Sequence, residues 1–246
     1  MATTDQTLLT SGPVPSRRHG RSLGINNIPP KCCSYSCVYC QVGRTLQREI
    51  KPHTFYQPEE IQRAVVAQVE AAHRAGEVID YLTFVPDGEP TLDVHLGETI
   101  DLLRPLGIKI AVISNGSLVW REEVRSRLSK VDWVSLNVDA VDEVMWRQAN
   151  RPHDDLRLPD ILQGIERFSQ QFQGKLCTET MLVEGINDSQ VPVAAVAKFL
   201  AKIKPHTAYL SIPTRPPAEE GIRAPSEEVI TAPIKCCRQR FRWWNT

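Results

Sequence analysis

The feature that most limits what this chain can fold into is a repeated alternation, from Ile79 onward, of short β-rich runs with stretches of helical spacing. The runs Ile79 to Val85, Ile108 to Ser114, Val131 to Val138, Leu176 to Val183 and Thr207 to Ile212 read as strands, because β-branched and aromatic residues suit a pleated surface. Between the first two, Leu96 to Arg104 reads as a helix that stops before Pro105. Apolar residues recur at helical intervals in Leu158, Ile161, Leu162, Ile165 and Phe168, and again in Val196, Phe199, Leu200 and Ile203. Upstream, Ile61, Val65 and Val69 mark a helix opened by Gln57-Pro58-Glu59-Glu60, where proline and acids suit a first turn. Arg21 to Ile28 completes a set of six strands. Strands separated by helical crossovers pair in parallel and put functional loops at their carboxyl ends, whether the sheet is open and doubly wound or curved into a barrel.

At 246 residues, with no internal repeat and no low-complexity linker, the chain suits one α/β domain. Its 29 Lys plus Arg balance 29 Asp plus Glu, which argues against a global nucleic-acid or anionic-membrane coat. Met1 to Ser16 lacks the basic start and apolar run of a leader, and no later stretch reaches the length of a membrane span. A cytoplasmic location without a membrane partner is expected.

Seven cysteines is an odd number for a disulfide framework, and three of them, Cys33, Cys37 and Cys40, fall within eight residues. Thiolates suit soft or borderline metals, and this spacing lets three of them wrap one centre. A structural zinc would need a fourth protein ligand, for which His53 is nearest in sequence. A four-iron cluster on three thiolates would instead leave one iron open.

The spacing Cys-x3-Cys-x2-Cys, with Tyr39 just before the last cysteine, resembles the radical S-adenosylmethionine (SAM) superfamily. The resemblance runs from about Gly12 to about Glu228 and includes Gly12-Pro13-Val14-Pro15-Ser16-Arg17-Arg18 and Arg21-Ser22-Leu23-Gly24-Ile25-Asn26. It implies a partial (β/α)6 TIM-like barrel spanning 21–217, with 1–20 as an N-terminal extension and 218–246 as a C-terminal segment. By this resemblance Cys33, Cys37 and Cys40 ligate a 4Fe-4S cluster, the open iron chelates the methionine moiety of SAM, and Tyr39 lies near the adenine. Asp87-Gly88-Glu89 is similar to the family's GGE segment that meets the methionine amino group, with Asp87 where the family often has its first glycine. Asn137 and Asp139 fall at the ribose segment, with Ser114 and Asn115 as supporting contacts and Glu179 and Thr180 as weaker candidates.

The implied activity is reductive cleavage of SAM to a 5′-deoxyadenosyl radical that takes hydrogen from a substrate, with an electron donor such as flavodoxin or ferredoxin. These segments resemble the iron-sulfur oxidoreductases related to the tRNA wyosine-synthesis enzymes; RNA, peptides and small molecules are candidate substrates. Wyosine synthesis itself would need a second cluster on cysteines before the main motif, and none precedes Cys32.

Plainer readings stand beside these. Asp87 to Pro90 and Ser114-Asn115-Gly116 suit ordinary turns, Asp139 suits a helix cap, and Tyr39 reads as packing, Cys32 as a bystander and Cys177 as core. Arg17, Arg18, His19 and Arg21 suit salt bridges at the barrel rim more than a phosphate contact; His153 and Asp154-Asp155 suit a polar loop. The tail Lys235 to Thr246 is basic and aromatic without helical or strand pattern. It reads as truncated or frame-altered, with an RNA contact or an accessory cluster on Cys236 and Cys237 as rivals. A non-enzymatic zinc or iron-sulfur module contacting RNA is the competing function.

Overall fold

The structure, a computed structural model, describes residues 9–16, 18–229 and the backbone of 241–243. Its elements, in chain order, begin with strands β1 (Thr10–Ser16), β2 (Gly20–Ile25), β3 (Cys32–Cys33) and β4 (Gln47–Arg48), followed by helix α1 (Pro58–Arg74). Then come β5 (Tyr81–Phe84), α2 (Leu96–Leu103), β6 (Lys109–Ser114), α3 (Glu122–Leu128), β7 (Trp133–Asn137), α4 (Glu143–Asn150) and α5 (Leu158–Gln171). The series ends with β8 (Lys175–Met181), α6 (Gln190–Ile203), β9 (Thr207–Ser211) and β10 (Phe241–Trp243).

Eight strands form one sheet in the order β1-β2-β5-β6-β7-β8-β9-β10, while β3 and β4 pair separately. From β2 to β9 the six predicted strands run parallel, each joined to the next through at least one helix. Register decides what each face buries. Leu82, Phe84, Ile110, Val112, Val134, Leu136, Leu176 and Ala208 share one face and pack with Ile61, Val65, Ile100, Leu128, Ile165, Phe168 and Leu200 of the helices. The alternate positions Tyr81, Ala111, Trp133, Cys177 and Tyr209 form a smaller cluster on the other face. Helices thus cover one side only, and the sheet curls so that its inner face closes on itself, giving the partial barrel.

Local chemistry explains the helix ends. Gln57 and Glu60 form a capping box on α1, with acids in its first turn and His73 and Arg74 in its last. Asp142, rather than Asp139, caps α4 by accepting from the Val144 and Met145 N–H groups. The α2 reading needs correction at its end: the α-helix stops at Leu103, and Arg104–Leu106 continues as a 3-10 turn that includes Pro105 and ends at left-handed Gly107.

Besides the short β3–β4 pair, two elements of the main sheet lie outside the expected strand set. Thr10–Ser16 pairs antiparallel with β2. Phe241–Trp243, in the tail that showed no strand pattern, pairs parallel with β9. Arg17, Cys236, Cys237 and the rest of the tail lie outside the described residues.

Candidate functional site

The cysteine loop leaves the carboxyl end of β2 and is fastened on two sides. On one, the Lys31 N–H donates to the Asp87 carbonyl (2.8 Å) and the Glu89 N–H to the Cys32 carbonyl (3.1 Å). The contact is so close that a Cβ on Gly88 would stand 2.0 Å from the Cys32 oxygen, so only glycine fits. On the other side, N–H groups of Ser36 and Val38 donate to the Asn150 (3.0 Å) and Ala149 (2.9 Å) carbonyls, and His153 N–H donates to Ser34 (2.9 Å). The last carbonyls of a helix lack intrahelical partners, and those of α4 here receive the loop. Buried Tyr35 accepts from the Trp146 indole N–H at 3.1 Å and completes the dock.

Cys33, Cys37 and Cys40 are free thiols. Burial, then the charge of Glu89, pushes the Cys33 thiol up to about 12. Burial, then the neighbouring Cys33, also pushes Cys37 well above the ordinary thiol range. Metal binding deprotonates such thiols outright. Two amides already point at the sulfurs: Asn115 Nδ2 lies 3.5 Å from Cys33 Sγ, and Asn150 Nδ2 lies 3.5 Å from Cys37 Sγ. Thiolates bound to one zinc at about 2.3 Å would stand about 3.8 Å apart. Among the described residues the one group of three His, Cys, Asp or Glu donors within 4.8 Å is Cys32, Glu49 and His53. The three loop sulfurs therefore stand wider than a zinc site, and His53 does not complete their set. This donor set fits a multi-iron cluster with an open vertex.

Around the thiols lie two buried carboxylates. Glu89 accepts from Thr91 N–H (3.1 Å), Thr91 Oγ1 (2.6 Å), Ser114 Oγ (2.8 Å) and Asn115 N–H (2.7 Å). Burial raises its pKa, and these four donors pull it back. Asn115 in turn donates to Ser34 Oγ (2.8 Å), tying the end of β6 to the cysteine loop. Asp139 accepts from the Tyr39 hydroxyl, Asn150 Nδ2 (2.7 Å) and Met181 N–H (2.8 Å). Burial raises its pKa to about 6 against those hydrogen bonds.

The structure thus gathers Tyr39, Gly88, Glu89, Ser114, Asn115 and Asp139 around the cysteine loop. Asp87 is exposed and held through its carbonyl, and Asn137 is half-buried at the end of β7. Thr180 bonds the Val138 carbonyl at 2.8 Å, whereas Glu179 on the inner face pairs with Arg18 and accepts from Ser211 Oγ at 2.6 Å. Of the basic cluster, Arg18 and Arg21 form salt bridges, Arg21 with Glu77 at 3.0 Å, while His19 hydrogen-bonds Thr83 instead. Cys177 is core, as read.

The sequence reading passed over Ser34, Tyr35, Trp146 and Asn150. The signal that points to the last was the Asn150-Arg151-Pro152 stop, whose Arg151 is left-handed at φ 44. After Pro217 the chain returns to the site: the Glu219 N–H donates to the Val38 carbonyl (3.2 Å), and its carboxylate pairs with Arg44 and Arg151.

No helix among the described residues is long and apolar enough to cross a membrane. The Radical SAM superfamily profile matches residues 27–196. A UPF0026 protein of Methanocaldococcus jannaschii is 50% identical over 220 residues, covering 89% of this chain and 68% of that protein. A radical SAM methyltransferase structure from Sphaerobacter thermophilus shares the fold with a TM-score of 0.66 at 18% identity, over 92% of this chain and 67% of that one. A TYW1 structure with a lysine-pyruvate adduct bound matches with a TM-score of 0.62 at 18% identity, over 89% and 74%. The three thiols at the barrel's carboxyl end and the matches agree: the chain belongs to the radical SAM superfamily, whose enzymes use a 4Fe-4S cluster and S-adenosylmethionine, and within it to the UPF0026 proteins.

Proposed function

We propose that this enzyme holds a 4Fe-4S cluster on Cys33, Cys37 and Cys40 and cleaves SAM reductively to take a hydrogen atom from a substrate lying in the partial barrel. The observation that carries the reading is the trio of free thiols at the carboxyl end of the sheet, too wide for one zinc and without a fourth donor among the described residues. When bound, the cluster and SAM supply one electron and a 5′-deoxyadenosyl radical.

The chain's own residues divide the remaining work. The turn at Asp87 and Gly88 lies at the methionine end, held there by the close packing of Gly88 on the Cys32 carbonyl. Glu89 and Ser114, their polar groups already engaged, position that turn and Asn115. Asn137 faces the ribose, and Asp139 fixes the Tyr39 ring beside the adenine. Amides of Asn115 and Asn150 stabilise thiolate charge on Cys33 and Cys37. The electron comes from a flavodoxin or ferredoxin in the cytoplasm, where thiols stay reduced. The substrate class stays open among RNA, peptides and small molecules.

Anaerobic reconstitution, reduction and addition of SAM are expected to release 5′-deoxyadenosine, and Cys37→Ala should abolish both iron retention and product. An intact cluster that yields no 5′-deoxyadenosine would overturn the reading. A colourless protein holding one zinc on these cysteines, with RNA affinity and no SAM turnover, would favour a binding module.

A further inference from the structure

Beside the cluster loop, on the opposite side of β3, lies a second set of metal-type donors. We propose that Cys32, Glu49 and His53 form a site for one zinc-class ion, with water as the fourth ligand. Their donor atoms all lie within 4.8 Å of one another. Alternation along β3 turns Cys32 away from Cys33, so the site is distinct from the cluster.

The arrangement is fixed by backbone rather than by side chains reaching across solvent. Cys32 pairs with Gln47 in the β3–β4 ladder, and the Glu49 N–H donates to the Cys33 carbonyl at 3.0 Å. The His53 N–H donates to Leu92 (2.9 Å), and its carbonyl accepts from Val94 (3.1 Å). Three ligands from three tethered positions meet at one point, which lowers the ordering cost of binding.

The His53 ring already spans two oxygens. Its Nδ1 lies 3.2 Å from the Thr54 carbonyl, and its Nε2 lies 2.7 Å from Glu49 Oε2. A metal ion would replace that Nε2–Oε2 contact, with Nδ1–H turned to the Thr54 carbonyl. In carboxylate–histidine metal sites in general an N–H held by a carbonyl has this orienting role, and Gln47 Nε2 on the other oxygen of Glu49 does likewise for the carboxylate.

Metal bonds of about 2.0–2.1 Å in a tetrahedron require N and O to separate to about 3.3 Å. His53 can yield that distance, because its side chain is 47% exposed and faces solvent, which also provides an entry path. One thiolate, one imidazole and one carboxylate form a borderline set that suits zinc and disfavours calcium or magnesium. The ion would brace β3 and β4 against 52–55, beneath the cluster loop.

The test is elemental analysis and zinc-edge X-ray absorption on the iron-loaded full-length protein after zinc addition and desalting. One retained zinc per chain with one sulfur neighbour is expected, with affinity reduced roughly tenfold or more by Cys32→Ser and by His53→Ala. Intact iron with no retained zinc, no sulfur neighbour, or affinity unchanged in His53→Ala, a substitution at a half-exposed side chain, would overturn the site. Iron counted in the same sample keeps this outcome separate from the cluster assignment.

Discussion

The two ends of the sheet solve opposite problems with the same strands. At the carboxyl end, buried polar groups satisfy one another: Glu89 takes four donors, Asp139 three, and the cysteine loop hangs from backbone carbonyls of two neighbouring segments. At the amino end the inner face is filled by rings. His19 from the β1–β2 turn packs 4.7 Å from Tyr81 and 4.8 Å from Trp133, above a hollow of about 620 Å³ rimmed by Lys109, Lys175 and His206. The carboxyl end therefore depends on geometry, because both buried carboxylates there take several donors and a small displacement unpairs several. The amino end depends on contact area, which tolerates displacement better.

If that contrast holds, the largest effect on folding should come from the smallest substitution at the carboxyl end. Gly88→Ala places a methyl group against a backbone carbonyl, not against a side chain that can swing away. A loss of about 3 kcal/mol, toward the upper range for overpacking, is expected in urea unfolding. Cluster retention should fall as well, since the displaced atom belongs to Cys32, next to a proposed ligand. A stability change below about 0.5 kcal/mol would show that the loop is pliable and break the comparison.

Asn150 tests the same end with a smaller expected effect. Its amide serves Asp139, Tyr39 and Cys37 together, at 2.7, 3.1 and 3.5 Å. Asn150→Ala leaves a buried carboxylate short of a donor and should cost about 1–3 kcal/mol. It should also raise the Asp139 pKa further above about 6, because one of the bonds that counter burial is gone. Denaturation midpoints and iron per chain would sharpen the comparison by separating the effect on folding from that on the metal.

The two ends were also unequally legible in the sequence. The cysteine spacing and the six parallel strands are local patterns, and both survive into the structure because period-two and helical repeats report directly which face is buried. Tyr35, Trp146 and Asn150 were not legible as a group, since Trp146 meets Tyr35, and Asn150 meets Tyr39, across more than a hundred residues of chain. Glu89 was legible as a candidate, but the turn of its carboxylate inward toward Thr91, Ser114 and Asn115 was not. β1 escaped because Gly12, Pro13 and Pro15 argue against a strand; as an edge strand it makes one ladder only, and its register shift falls between Ser11 and Val14. The seven-residue α3 is too short to display a repeat.

The smallest effect is expected at the amino end, where His19 is the titratable group in the aromatic plug. Burial, then the charge of Arg18, lowers its pKa from 6.5 to about 4, with Asp80 opposing. Between those values the unfolded chain binds a proton that the folded protein refuses, so stability is lost as the pH falls from about 6.5 toward 4 and levels off below. Because the ring is only partly buried, solvent screening reduces the loss to about 1 kcal/mol. His19→Phe keeps an aromatic ring between Tyr81 and Trp133 but gives up the 3.0 Å bond to Thr83 Oγ1. Thermal unfolding at pH 7 and pH 5 should show a smaller acid destabilisation in this variant than in the parent, with iron content unaltered. An equal acid response in both would mean that the amino end, too, is governed by paired polar atoms, and the contrast between the two ends of the sheet would fail.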